Sequence, residues 1–361
     1  MKTFDNWLAK ATLGGGLILS CGMAQAQGSV TLYGVVDGGL LYTSKTANPT
    51  TFQNEGAQLS MIDSGSEPSQ FGLKGTEDLG GGLKAEFDLQ SGIDIADGGY
   101  NDSNGNFFGR QAWVALDGNY GQLKFGLQFS PFFLALFDSD PRGFSQFGSA
   151  LVINIDNVLA TSVFNSNAVS YTSPNIAGFQ GRVMLALGGE AGDFQAGRQY
   201  SASLKYDNGG LMVNASIYDG NSGGTAQTPV PSTEAFEGRT IGAAYTFGGL
   251  TAKASFVNYK VAGQLNNNVY GGGLDYKWLP ELDINGGLWV TSDRSQTTNH
   301  SLMAALGAQY SLSHTTTLYG QIGVVNNHGA ETEGLSVATS SALYAVQGTT
   351  VGADVGIRHT F

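Results

Sequence analysis

The residue types that usually do covalent or metal chemistry are sparse in this chain and poorly spaced for it. The four histidines, His300, His314, His328 and His359, lack the close spacing of metal ligands, and no Ser, His and acid grouping follows from sequence separation. The one cysteine, Cys21, falls in the leader described below, so a mature chain has no thiol for a disulfide, a metal or a nucleophile. No catalytic residue, metal site or cofactor is expected. What recurs instead is charge on one phase of short alternating segments: Asp37, Lys74, Lys84, Glu86 and Asp88, then Arg110, Arg182, Lys205, Lys253, Asp275 and Lys277. Such a set can solvate and sort ions through its field, provided that one face of each segment is wet.

The elements that must hold these charges read as strands. Tyr200, Ala202, Leu204 and Tyr206 alternate with Ser201, Ser203 and Lys205, and beyond Asp207-Asn208-Gly209-Gly210 the apolar phase resumes as Leu211, Val213, Ala215 and Ile217. The same unit surrounds Gly248-Gly249, with Ile241, Ala243, Tyr245 and Phe247 before it and Leu250, Ala252, Ala254 and Phe256 after it. A period of two sends successive side chains to opposite faces, so each unit is an expected hairpin. The pattern predicts sixteen strands, beginning near residues 30, 69, 83, 107, 121, 168, 179, 198, 211, 239, 250, 268, 282, 300, 315 and 349. Short turns, such as Asp78 to Gly82, Asp117 to Tyr120 and Ser311 to His314, alternate with long loops near residues 45 to 66, 95 to 106, 131 to 165, 220 to 237 and 329 to 348.

Composition says which solvent meets the apolar face. Charged residues make up 13% of the chain, against about 25% in typical soluble proteins. Glycine fills 54 of 361 positions, too many for long helices. Mean hydropathy is only −0.07, and no stretch past the leader is apolar for the ~18 residues that a helical span requires. Apolar groups hidden by alternation, a two-length loop rhythm and scarce charge together predict an all-β fold: an antiparallel transmembrane barrel with short periplasmic turns and long external loops. In lipid the sheet must close, because an open edge strands backbone N–H and C=O groups at several kcal/mol each. The formal net charge of −12 argues against a nucleic-acid partner.

Lys2 and Lys10, the apolar run Ala11 to Leu19 and Ala24-Gln25-Ala26 are the three parts of a secretory signal in order. They divide the chain into a signal peptide, 1–26, and a barrel, 27–361. Ile18-Leu19-Ser20-Cys21 also resembles a lipoprotein signal, in which Cys21 would carry lipid, but the site after Ala26 is the better one.

The blocks GSVTLYGVVDGGL, SQFGLKGTEDLGGGLKAEFDLQSG, FGRQAWVALDGNYGQLKFGLQ, NAVSYTSPNIAGF and GADVGIRHTF lie in order along the mature chain. Together they resemble the Gram-negative general porin family in its betaproteobacterial form. The resemblance implies a sixteen-stranded barrel in the cell outer membrane, a homotrimer, a third external loop folded into the lumen, and passive diffusion of ions and small hydrophilic solutes. It also implies contact with outer-membrane lipid and lipopolysaccharide. Terminal Phe361, on the apolar phase with Ile357 and His359, resembles the signal read by the barrel insertion machinery. An adhesin or receptor working through loops such as 220 to 237, and a barrel enzyme, are the alternatives.

The segment 130–156, SPFFLALFDSDPRGFSQFGSALVINID, stands where the third loop belongs and is too apolar for a free surface loop. By resemblance it shapes the constriction over 131–165, with Asp138 and Asp140 opposite basic wall residues; Arg110, Lys74, Lys84 and Arg142 are the candidates, while Asp37, Glu86 and Asp88 add wall acids. Asp138 and Asp140 could equally cap a turn beside Pro141. The chain departs from the family where arginine is usual, with Gln70, Leu127 and Phe164 in those places. A weaker, more apolar eyelet with more preference for cations is therefore expected, and Leu127 could instead face a subunit contact.

Overall fold

A computed structural model describes residues 28–48, 50–51, 53–157, 163–221, 235–261, 263 and 265–361. The expected signal peptide with Cys21, and most of the 220–237 loop, lie outside them.

Alternation becomes a closed antiparallel sheet. Its strands are β1 (Ser29–Ala47), β2 (Asn54–Asp63), β3 (Gln70–Gly80), β4 (Leu83–Gly92), β5 (Gln111–Gly118) and β6 (Gly121–Gln128). Two helices, α1 (Pro131–Ser139) and α2 (Ala150–Asn157), precede β7 (Asn165–Thr172), β8 (Phe179–Ala186), β9 (Gln199–Asp207), β10 (Leu211–Asn221) and β11 (Ala235–Phe247). There follow β12 (Leu250–Val261), β13 (Leu265–Lys277), β14 (Leu282–Asp293), β15 (His300–Ser311), β16 (Thr316–His328), the single turn α3 (Ser340–Leu343) and β17 (Gly348–Thr360).

The barrel has sixteen strands because β2 and β3 are two pieces of one. Both pair antiparallel with the same edge of β1, β3 along Ser29 to Val35 and β2 along Gly38 to Ala47. The opposite edge of β1 pairs with β17 from Val35↔Thr360 to Thr43↔Gly352, and Gly34 and Phe361 exchange two backbone hydrogen bonds at 3.0 Å that finish the seam. The expected loop at 45 to 66 is thus mostly strand. Asn54 to Gln58 carries no β-branched residue, and Ser64 to Ser69 reads as a turn, so the sequence disguised the upper half of the second barrel strand. Ser64 to Ser69 instead bulges into the lumen.

The hairpin turns form as their residues dictate. At Asp207 to Gly210, Asn208 Oδ1 accepts from the N–H of Gly210 and Leu211, and Gly209 takes φ +86°, a conformation that glycine adopts without a Cβ clash. Outward positions are apolar and exposed, among them Leu204, Ile217, Ile241, Leu288, Leu306, Ile322 and Val355, which is the band a lipid-facing barrel presents.

The packed core lies inside the barrel, against expectation for a lumen that is polar throughout. Inward Tyr218, Val257, Tyr259, Val269, Trp289, Met303 and Val325 are buried beneath α1, α2 and the 329–348 loop. On β15 both phases are accordingly apolar, Leu302 and Leu306 outward, Met303 and Ala305 inward, as in strands covered on both sides.

Candidate functional site at the constriction

Helix α1 begins where Ser130 Oγ accepts from Phe133 N at 3.0 Å, with Pro131 at the first helical position. Its apolar residues then divide by the helical period. Phe132, Ala135, Leu136 and Ser139 recur on one face and are buried against β9 to β12. Burying Phe132 and Leu136 stabilises the docking by about 2 kcal/mol each. Asn214 Nδ2 donates to Ala135 O at 2.9 Å, and Phe132 N donates to Ser201 Oγ at 3.1 Å. Gly238 makes the approach possible, because a Cβ there would stand 2.6 Å from the Phe132 ring. The other face carries Phe133 and Phe137 into the lumen, Phe137 with 51% of its surface exposed. Burial of the loop therefore accounts for most of its apolar character, and Phe133 and Phe137 turn the remainder to the channel.

A cavity of about 620 Å³ lies between this loop and the wall. Phe129, Phe133, Phe137 and Phe144 line one side; Glu67, Gln70, Gln90, Asp102, Arg110, Asp275, Asp283, Gln309 and Arg358 line the rest. Arg110, just before β5, is paired with Asp102, donates from Nε to Gln90 at 3.0 Å, and holds its guanidinium 5.9 and 5.8 Å from the rings of Phe129 and Phe164. Arg358 meets Glu67 at 3.1 Å.

The expected lumen residues take up distinct places. Strand register puts Lys74, Lys84, Glu86 and Asp88 on the inward phase with Gln70. Lys74 Nζ sits 4.8 Å from the Tyr33 ring, whose hydroxyl donates to Asp88 at 2.6 Å, and Glu86 accepts from Gln122 at 3.0 Å. Lys84 is exposed near the short turn, opposite Asp78 and Asp117. Asp37 points inward but is fully buried: it accepts from Tyr319 at 2.6 Å and from the N–H of Ser66 and Glu67 at 3.0 and 2.8 Å, anchoring the inward bulge. It shapes the wall and does not face the pore water.

The two loop acids separate. Asp138 pairs with Lys205 at 3.2 Å, both a quarter exposed on the lumen side. Asp140 is fully buried, accepts from Arg142 N at 2.6 Å and from the Ser149 hydroxyl, and so caps the turn beside Pro141. Burial raises its pKa, opposed by those two hydrogen bonds. Arg142 is also buried. Its guanidinium donates to Asn285 at 3.1 Å, Phe147 O at 2.6 Å, Gly148 O at 3.1 Å and Gln321 at 2.5 Å, pinning the loop to β14 and β16. Desolvation pushes it down to about 10, which leaves it a cation at neutral pH. Asp140 thus takes the turn-capping alternative, and Arg142, although it borders the cavity, is spent on buried partners.

Of the positions expected to be arginine, Gln70 lines the cavity and Phe164 is buried against Phe129. Leu127 pairs with Ala112 on the outward phase and faces away from the pore. Sequence reasoning missed Glu67, Asp102, Arg358 and the aromatic strip. Only the i, i+4 spacing of Phe133 and Phe137 could have signalled a second helix face. Register also stacks His300 on His328 at 4.5 Å on the outward phase, and among the described residues no group of three or more His, Cys, Asp or Glu gathers as a metal site.

The comparisons agree with this geometry. A family model described as Gram-negative porin matches residues 13–330. The outer membrane porin protein 32 of Delftia acidovorans is 31% identical, over 98% of this chain and 100% of its own. An outer membrane porin protein of Bordetella pertussis is 31% identical, over 83% of this chain and 80% of its own. The solved anion-selective porin from Comamonas acidovorans superposes with a TM-score of 0.80 at 27% identity, covering 93% of this chain and 100% of that one. OmpT of Vibrio cholerae in its trimer form shares the fold, with a TM-score of 0.65 at 13% identity over 92% and 99%. A closed sixteen-stranded barrel, apolar outside and narrowed inside by its own loop, is the architecture of a diffusion channel in the outer membrane, and the chain belongs to the Gram-negative porin family.

Proposed function

We propose that the constriction passes small hydrophilic solutes with a weak preference for cations. The observation that carries this reading is charge matching: Arg110 is met by Asp102, Arg358 by Glu67, and Arg142 by the buried acids Asp140 and Asp354, while Asp275 and Asp283, beside Lys253 and Lys277, add further carboxylates to the cavity. An opposed charge cancels most of the field that an arginine would throw across the pore. The reversal potential across a planar bilayer in a KCl gradient tests it. Wild type is expected on the cation side and Gln70→Arg nearer zero; an anion-selective wild type overturns the reading.

The working unit is a homotrimer. Among the described residues β2 pairs as a strand with β1 alone, leaving its other edge without a ladder partner, and Leu59 and Met61 stand 70% and 52% exposed beside it. A neighbouring barrel would cover both the edge and the apolar patch. Unheated protein should run as an oligomer in detergent gels and shift on boiling; a monomeric mass by light scattering in mild detergent overturns the trimer. The mature chain starts after Ala26 without lipid, and mass spectrometry of the N-terminal peptide decides between that and a lipidated Cys21.

A further inference from the structure

We propose that the constriction holds a transient binding site for aromatic cations, small solutes that carry a phenyl-sized ring and an ammonium group. The inference rests on the channel reading and names a solute class for it. The first observation is a continuous strip of rings. Centroids are 6.0 Å apart for Phe164 and Phe129, 4.9 Å for Phe129 and Phe133, 5.2 Å for Phe133 and Phe144, and 5.7 Å for Phe144 and Phe137. A loop that needed only to fill the lumen would bury its rings, yet Phe137 keeps half its surface in the channel. The Arg110 guanidinium already lies over the rings at one end, Phe129 and Phe164. Phe133 and Phe137 continue the same strip along the cavity, where a solute cation can take the corresponding place.

The second observation is the polar complement. The wall across the cavity offers amides and paired ions: Gln70, Gln90 and Gln309, with Arg110 and Arg358 each held by an acid. Gln70 Oε1 has no hydrogen-bond partner in the protein and its amide borders the cavity, so turning that amide would present an acceptor to an N–H of a solute. Asp275 and Asp283 line the same space and favour ammonium over carboxylate, with Lys253 and Lys277 offsetting part of their charge. At about 620 Å³ the cavity has the size of small-molecule sites, which run ~300–1,000 Å³. Rings on one side, acceptors and acids on the other, and guanidinium groups already neutralised select against aromatic anions and against aliphatic amines of equal charge.

The test is single-channel recording of the full-length mature protein in KCl with benzylamine, butylamine or benzoate added. Wild type should be blocked by benzylamine at a concentration at least about 5-fold below that for butylamine or benzoate, given the worth of an added aromatic or cation–π contact. Phe137→Ala should raise the benzylamine value about 2- to 10-fold, and Phe137→Trp should restore it, which separates loss of a ring from collapse of the loop. Gln70→Leu should weaken block by benzylamine more than by butylamine. Equal block by benzylamine and butylamine, or an unchanged value in Phe137→Ala, overturns the site while the channel stands. Absence of any KCl conductance overturns the channel reading and the site with it.

Discussion

The backbone N–H of Glu67 donates to the carboxylate of Asp37 at 2.8 Å, so a buried acid of the first strand positions the exposed acid that meets Arg358, the cross-strand neighbour of Asp37 on β17. Tyr319 closes the same carboxylate from β16 at 2.6 Å. Asp37→Ala leaves the Tyr319 hydroxyl and two N–H groups without their acceptor in a buried place, a loss of about 3 kcal/mol. Thermal unfolding in detergent should show a lower midpoint than wild type, and single-channel traces should become noisier as Glu67 loses its fixed position.

Asp102→Asn removes the partner of Arg110 and exposes an arginine's field to the cavity. The reversal potential should move toward anions, whereas Arg110→Gln should move it toward cations. Equal potentials in both variants would show that this pair does not contribute to selectivity.

Asp138 and Asp140 should behave differently although only Ser139 stands between them. Asp138→Asn removes the nearer of the two acids on Lys205, leaving Asp207 at 3.7 Å, and should reduce cation preference. Asp140→Asn changes a carboxyl with no exposed surface and should leave the reversal potential nearly unchanged while lowering stability by about 1–2 kcal/mol. Recording both properties on both variants separates pore charge from loop scaffold.

Glu333, in the 329–348 loop, is buried and pushed up to about 8 by that burial, with Glu331 adding repulsion and the neighbouring polar side chains of Thr291, Asn154 and Ser301 opposing it. The folded state therefore binds more protons than the unfolded one between the ordinary carboxyl value of 4.5 and about 8. Its contribution to stability is fully present below 4.5 and lost as pH rises toward 8, by at most about 1.4 kcal/mol per pH unit. Thermal midpoints from pH 5 to 9 should fall for wild type and stay flatter for Glu333→Gln.

Deleting Phe361 removes the two hydrogen bonds with Gly34 and the ring that packs on it. The seam between β1 and β17 would then end in unpaired backbone, a β edge exposed during insertion. Surface levels in cells should drop several-fold relative to wild type; normal levels would remove the assembly role of the terminal residue.

Much of the barrel was legible because a two-residue period is a local property of the chain. Tyr200 to Ile217 declares its inward and outward faces without reference to any other strand, and closure follows because lipid offers no partner to a free edge. The inward placing of Lys74, Glu86 and Lys253 follows from the same rule. The constriction obeys no local rule. Whether Asp140 meets water or Ser149, whether Arg142 faces the pore or pins β14 to β16, and whether Arg110 acts alone or with Asp102 all depend on contacts between segments far apart in the chain. The second strand was misread for the same reason: Asn54 to Asp63 becomes strand because β1 offers it an edge, and Ser64 to Ser69 leaves the wall because Asp37 and Tyr319 wait for it inside. Periodicity thus determined which face of each strand meets lipid, while burial and the pairing of distant charges in the lumen decided what a passing solute meets.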